Sequence, residues 1–117
     1  MKVFDAKYAT IHLEKEKRTL EIVWHSLVKI AQYKLVMELT MQLVRKHQIL
    51  NILENQSQLE LSNQQEIQSW LQQSFLPKIN QEVEKYSILP ATDTSKSIQA
   101  NDLMDLVQRA RMQCVIL

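Results

Sequence analysis

The sequence predicts an α/β fold: a mixed, mostly parallel sheet of about five strands, with an N-terminal β-hairpin and helices packed on it. Three observations predict this. Residues 6–13 and 19–25 carry apolar side chains at alternate positions and flank the charged run Glu14-Lys15-Glu16-Lys17-Arg18. A long segment with helical apolar spacing follows. Beyond residue 48, short apolar runs alternate with helical segments, the pattern of βαβ units.

In the hairpin, Ala9, Ile11 and Leu13 share one face of the first strand, and Leu20, Ile22 and Trp24 one face of the second. No glycine is present for a type I′ turn, so a longer loop built on a type I turn is expected. Ser26 is the expected N-cap of a helix running to about Lys46. Leu27, Ala31, Leu35, Leu39 and Leu43 recur at i+4 and define its expected buried stripe, widened by Ile30, Val36 and Val44. Arg45, Lys46 and His47 suit its C-terminal dipole.

Residues 48–53, QILNIL, read as a buried parallel strand, followed by the polar loop Glu54–Gln58. Ser62-Asn63-Gln64-Gln65 matches a capping box, with Ser62 as cap, and opens a helix that turns Ile67, Trp70 and Leu71 inward. Pro77 breaks or restarts this helix, which ends near Val83. KYSIL, 85–89, is the next strand and is closed by Pro90. Residues 91–96 form a loop, 97–111 a helix with Leu103, Leu106, Val107 and Ala110 inward, and MQCVIL, 112–117, the last strand. The expected order is β-β-α-β-α-β-α-β, one domain over residues 1–117.

Composition excludes several functions. The chain has 117 residues and no glycine, where average usage of ~7% would place about 8. Glycine-rich phosphate loops, dinucleotide fingerprints, nucleophile elbows and EF-hand loops all need it. Net charge is +1, with nine Lys/Arg and five acids in residues 1–50 against five and eight in 51–117. That is no dense basic face, so no nucleic-acid partner is expected. Cys114 is the single cysteine, so no intramolecular disulfide forms; a reducing compartment and a cytoplasmic location are expected. No signal peptide and no membrane span is expected. The fourteen glutamines are dispersed and read as solvated helix faces.

No catalytic constellation emerges, so the chain reads as a non-enzyme without cofactor or metal. His12 lies on the half-exposed hairpin face and His25 at the strand-to-helix junction; two histidines alone are a poor metal site. Cys114, in an apolar strand, and Trp24 and Trp70, on inward faces, read as core. Glu54 and Glu60 read as solvated. One site has a positional argument: in open parallel sheets, ligands bind outside the carboxyl ends of the strands. That rim carries Glu54, Asn55 and Gln56, the helix start at Ser62, the loop Thr92-Asp93-Thr94, and His25-Ser26. The candidate ligand- or partner-binding residues are Glu54, Asn55, Ser62 and Asp93, and helix N-termini there favour an anion.

The whole chain resembles the STAS-like family (sulfate transporter and anti-sigma factor antagonist), particularly its small stand-alone bacterial members. The resemblance is carried by T-L-E-I-V-W at 19–24, the long helix, I-L-N-I-L-E at 49–54, Trp70-Leu71, Leu76-Pro77, Y-S-I-L-P at 86–90 and the final helix-strand pair. It implies a β-α superhelix and a regulatory role through protein partners. Anti-sigma factor antagonists of the family carry Asp-Ser-Ser/Thr-Gly at the start of the second helix, where the serine is phosphorylated. Leu61-Ser62-Asn63-Gln64 stands there instead: Ser62 aligns with the switch serine, but the acid and the glycine beside it are missing. Glu54 stands where the stand-alone members usually have an Asp after the third strand. The family's terminal amphipathic helix has no counterpart after Leu117, which leads to the expectation of exposed apolar surface and a homodimer. Two functions are therefore expected: a non-catalytic interaction module binding a protein partner or itself, or a carrier for a small apolar or anionic ligand such as a lipid.

Overall fold

The structure is a computed structural model that describes residues 1–91 and 100–117. It is α/β, with a six-stranded mixed sheet in the order β1-β2-β3-β5-β7-β8 and a two-stranded sheet of β4 and β6. The strands are β1 (Lys2–Asp5), β2 (Ala9–Glu14), β3 (Thr19–Trp24), β4 (Leu27–Val28), β5 (Asn51–Asn55), β6 (Glu60–Leu61), β7 (Lys85–Leu89) and β8 (Gln113–Ile116). The helices are α1 (Ile30–His47), α2 (Gln64–Trp70), α3 (Leu76–Ile79) and α4 (Ala100–Arg109), with a π turn, Leu71–Phe75, between α2 and α3.

The hairpin forms as its alternation requires. Ala9 faces Trp24, Ile11 faces Ile22 and Leu13 faces Leu20. Its loop, Lys15–Arg18, closes with Arg18 N–H donating to Lys15 O at 3.1 Å, and Arg18 takes φ 47°. β3, β5, β7 and β8 then pair in parallel, each with the strand before it in the sheet.

Several expectations are corrected. The main sheet has six strands rather than about five, because β1 pairs with β2 as an extra edge. Ser26 is not a helix cap. Leu27 and Val28 bridge to Glu60 and Leu61, so α1 starts only at Ile30, with the Gln32 side chain accepting from Lys29 N–H at 3.0 Å. Ser62 is exposed and Asn63 caps α2, its Oδ1 accepting from Glu66 N–H at 3.1 Å. The i+4 leucine stripe is not the buried face of α1: Leu27 is 55% and Leu35 53% exposed. Leu27 lies in β4, outside the helix, and within α1 each i+4 step overshoots a full turn by about 40°, so the row drifts roughly 120° from Ala31 to Leu43. The face against the sheet is Tyr33, Val36, Met37, Thr40, Met41 and Val44. The Thr40 hydroxyl is buried there because it donates to Val36 O at 2.9 Å. Pro77, which cannot donate, follows a turn in which Leu76 N–H reaches back to Leu71 O.

All described helices lie on one face. Successive parallel strands step in one direction across the sheet, and right-handed crossovers then place each helix on the same side. Burial agrees. Leu20, Ile22, Trp24, Ile52, Tyr86 and Ile88 join one core cluster with α1, α2, α3 and α4. The alternate positions, among them Glu21, Val23, Asn51, Leu53, Asn55, Ser87 and Val115, are half-buried, and Leu89 and Leu117 are exposed. Among the described residues, no helix covers this second face of the sheet.

Candidate functional site

The rim residues do not share one environment. On β5 the inward parity runs Ile52, Glu54, and Gln56 just beyond, so Glu54 points under α1. It is 1% exposed, not solvated as its polar neighbours suggest. Four donors meet its carboxylate. Oε2 accepts from Trp24 Nε1 at 2.9 Å, Gln56 Nε2 at 2.9 Å and the Tyr33 hydroxyl at 3.2 Å. Oε1 accepts from the Tyr86 hydroxyl.

Elementary chemistry explains the set. A buried carboxylate without partners is very unfavourable, and it has about four lone-pair directions to fill. The Trp24 and Gln56 nitrogens can only donate, so Oε2 acts purely as an acceptor. The donors come from β3, α1, the end of β5 and β7, so one side chain ties four parts of the fold together. Trp24 and Tyr33 also stack, with ring centroids 4.7 Å apart and planes 8° apart, and Trp70 meets Tyr33 edge-on at 6.5 Å. Burial first, then the Glu54 charge, pushes the Tyr33 and Tyr86 hydroxyls well above the usual tyrosine pKa. The cluster is therefore a buried hydrogen-bonded unit in which three donors crowd Oε2 and the Tyr86 hydroxyl meets Oε1.

Asn55 faces the open side, where its Oδ1 accepts from Ser57 N–H at 3.0 Å and the Ser57 hydroxyl at 2.7 Å. That is an Asx turn, the ordinary way to leave a strand without glycine. Ser62 donates its backbone N–H to Val28 O at 3.2 Å. Asp93, with Thr92 and Thr94, lies outside the described residues. Glu54 and Asn55 thus point to opposite faces, and neither meets Ser62.

His25 Nε2 and the Thr10 hydroxyl are hydrogen-bonded at 2.6 Å. His12 pairs with Glu21, while His25 N–H binds Tyr8 O, so the two histidines sit about four residues, roughly 13 Å, apart along the hairpin. Among the described residues, no three His, Cys, Asp or Glu side chains are grouped to hold a metal ion. Cys114 is half-buried on β8, and burial raises its thiol pKa.

Trp24, Tyr33 and Tyr86 lie outside the expected site, and Gln56, expected on its rim, is buried and turned inward. The signal was present in the inward parity of Ile52-x-Glu54-x-Gln56: an acid at a core position must find donors, and the inward aromatic residues with polar tips are the donors nearest by register. A cleft of about 170 Å³ lies between α3 and α4, lined by Gln72, Leu76, Asn80, Leu106 and Arg109 among others. No helix of the described residues is long and apolar enough to cross a membrane. No family model, no curated protein and no solved structure matches the chain.

Proposed function

We propose that the chain is a non-catalytic interaction module of STAS-like architecture, acting in regulation through protein contacts. The carrying observation is the one-sided sheet. Six strands carry every described helix on one face and leave Val23, Leu53, Leu89, Val115 and Leu117 on the other. Apolar residues gathered on an uncovered face are a usual mark of a protein contact. The N-terminal hairpin at one edge and the stepwise parallel strands support the STAS-like reading. The Glu54 cluster supports the non-catalytic one, because its carboxylate is 1% exposed and held by four protein donors, out of reach of a substrate.

The rival reading, a small-ligand carrier, needs a cavity of ~300–1,000 Å³. Three clefts among the described residues measure about 170, 270 and 290 Å³, at or below the lower limit of that range, and the two larger ones lie open on the surface. Native mass spectrometry of the purified chain decides between the two. The module predicts masses of the bare chain or its multiples; a co-purifying small molecule held in every copy overturns it. Leu53→Lys adds a second check. On an open face the charge stays hydrated, and stability changes by no more than about 0.5 kcal/mol. A loss above ~2 kcal/mol means that the face is covered, and the reading fails.

A further inference from the structure

The two edges of the sheet are built differently. β1 carries Lys2 and Asp5, paired at 3.5 Å, and its register with β2 is irregular between Lys2 and Phe4. Charges and bulges are how natural sheets keep an edge from recruiting another strand. β8, at the opposite edge, reads Gln-Cys-Val-Ile, with neither charge nor proline and a regular register against β7. Among the described residues, no strand pairs with its outer side.

The hydrogen-bond parity states which groups that edge offers. Gln113 N–H donates to Glu84 O at 3.0 Å, and Leu117 N–H donates to Ile88 O at 2.8 Å. Residues 113, 115 and 117 therefore turn their backbone groups toward β7, and Cys114 and Ile116 turn theirs outward.

We infer that β8 is a homotypic contact, at which two copies of this chain pair β8 antiparallel to β8 about a two-fold axis through Val115. The inference rests on the interaction-module reading and names its partner as a second copy. In this register Cys114 and Ile116 exchange both backbone bonds with Ile116 and Cys114 of the second copy, so all the outward groups of the pair are used. Val115 meets its own counterpart in the close, non-hydrogen-bonded pair, on the open face. Cys114 meets Ile116 on the helix-bearing face, apolar against apolar. The rank Glu21, Leu53, Ser87, Val115 then runs on into its mirror rank in the second copy, doubling the open face.

α4 packs over β8, and the axis sets the two α4 helices antiparallel. Arg109 lines the cleft toward α3 and pairs with Asp105 at 3.0 Å, and Asp102, seven residues before Arg109, shares that side. The charges of α4 therefore face away from the axis, and the flank turned toward it carries Met104 and Gln108, with no like charges to repel the second copy. A two-fold contact of this kind is closed and self-complementary, so it stops at two copies.

Sedimentation equilibrium of the full chain, over a wide concentration range, is the first test and is expected to show a reversible monomer–dimer. Ile116→Pro removes an outward N–H and leaves the bonds to β7 intact, so the folded chain is expected to dimerise at least tenfold more weakly. Val115→Cys in a Cys114→Ser background places two thiols directly opposite, about 4.5 Å apart at Cα, within disulfide span. Under mild oxidation this double variant is expected to cross-link at least tenfold faster than wild type, whose two Cys114 residues sit diagonally, roughly 7–8 Å apart. A chain that stays monomeric overturns the inference, as does a dimer indifferent to Ile116→Pro, or a wild type that cross-links through Cys114 as fast as the double variant does. None of these results touches the module reading, which stands or falls on the small-molecule mass and on Leu53→Lys.

Discussion

Replacing Glu54 by glutamine measures what the buried cluster contributes to the fold. The substitution keeps shape and volume but removes the charge and turns one acceptor into a donor. The glutamine oxygen can accept from two of the three groups now on Oε2, which are Trp24, Gln56 and Tyr33. Its amide nitrogen faces the Tyr86 hydroxyl, which can reverse and accept. One donor is left without a partner, at about 1–3 kcal/mol, and the surviving bonds fall from ~1.5–3 kcal/mol each to ~0.5–1.5. Relief of the buried charge offsets part of this. The net expectation is a loss of about 2–4 kcal/mol, a large share of the ~5–15 kcal/mol of an ordinary domain. Urea unfolding followed by tryptophan fluorescence reads it directly, and for a chain this size each kcal/mol lowers Tm by roughly 3–6 °C. Glu54→Leu, which leaves all four donors unpaired, is expected to lose more. Glu84→Gln, on an exposed residue, is the control and should stay within about 0.5 kcal/mol. Glu54→Gln behaving like that control would refute the reasoning, since the four donors would then not depend on the carboxylate.

Other expectations follow from the same geometry. Tyr33 and Tyr86 are held neutral in the folded chain, so the unfolded chain releases their protons first. Stability is complete below the ordinary tyrosine pKa of about 10 and falls as pH rises beyond it; phenolate absorbance from these two side chains should appear together with loss of the far-ultraviolet helix signal. Asn63→Ala should cost about 1 kcal/mol and Ser62→Ala almost nothing, because only Asn63 caps α2; equal losses in urea unfolding would contradict the cap. Val36→Ala on α1 should cost more than about 1 kcal/mol while Leu35→Gln stays within about 0.5, and the reverse order would mean that the helix presents its other face. Gln48→Gly should raise Tm by a few degrees, since Gln48 ends α1 at φ 53° and ψ 49°, where a side chain costs about 1 kcal/mol.

Much of the fold was legible in the sequence, and the failures have physical causes. The hairpin, β7 and β8 were readable because alternation and flanking breakers coincide there. β1 has four residues with a charge at each end, too short for a period to show. β4 and β6 are two-residue bridges between segments far apart in sequence, so no local pattern announces them. Their pairing also displaced the start of α1, which made Ser26 look like a cap. The leucine row on α1 misled because constant i+4 spacing looks like a stripe and is a spiral. The site was misread for a related reason. Residue type puts Glu54 on the solvated rim, whereas its position in the strand period puts it with Ile52 in the core. Asn55, its neighbour, does face outward as the alternation demands.

The stepwise order of the sheet has a consequence for how the chain folds. From β2 onward, each strand of the main sheet pairs with the strand that precedes it there, and none is inserted later between two older ones. Doubly wound sheets lack this property, because a late strand must return to an edge made much earlier. Here each β-α unit docks against a surface completed by residues already synthesised. Loop closures stay short, and the growing edge is always the newest strand. A ribosome releasing this chain from its N-terminus would let the sheet extend in the order in which it is read, with Glu54 waiting for Tyr86 as its last donor.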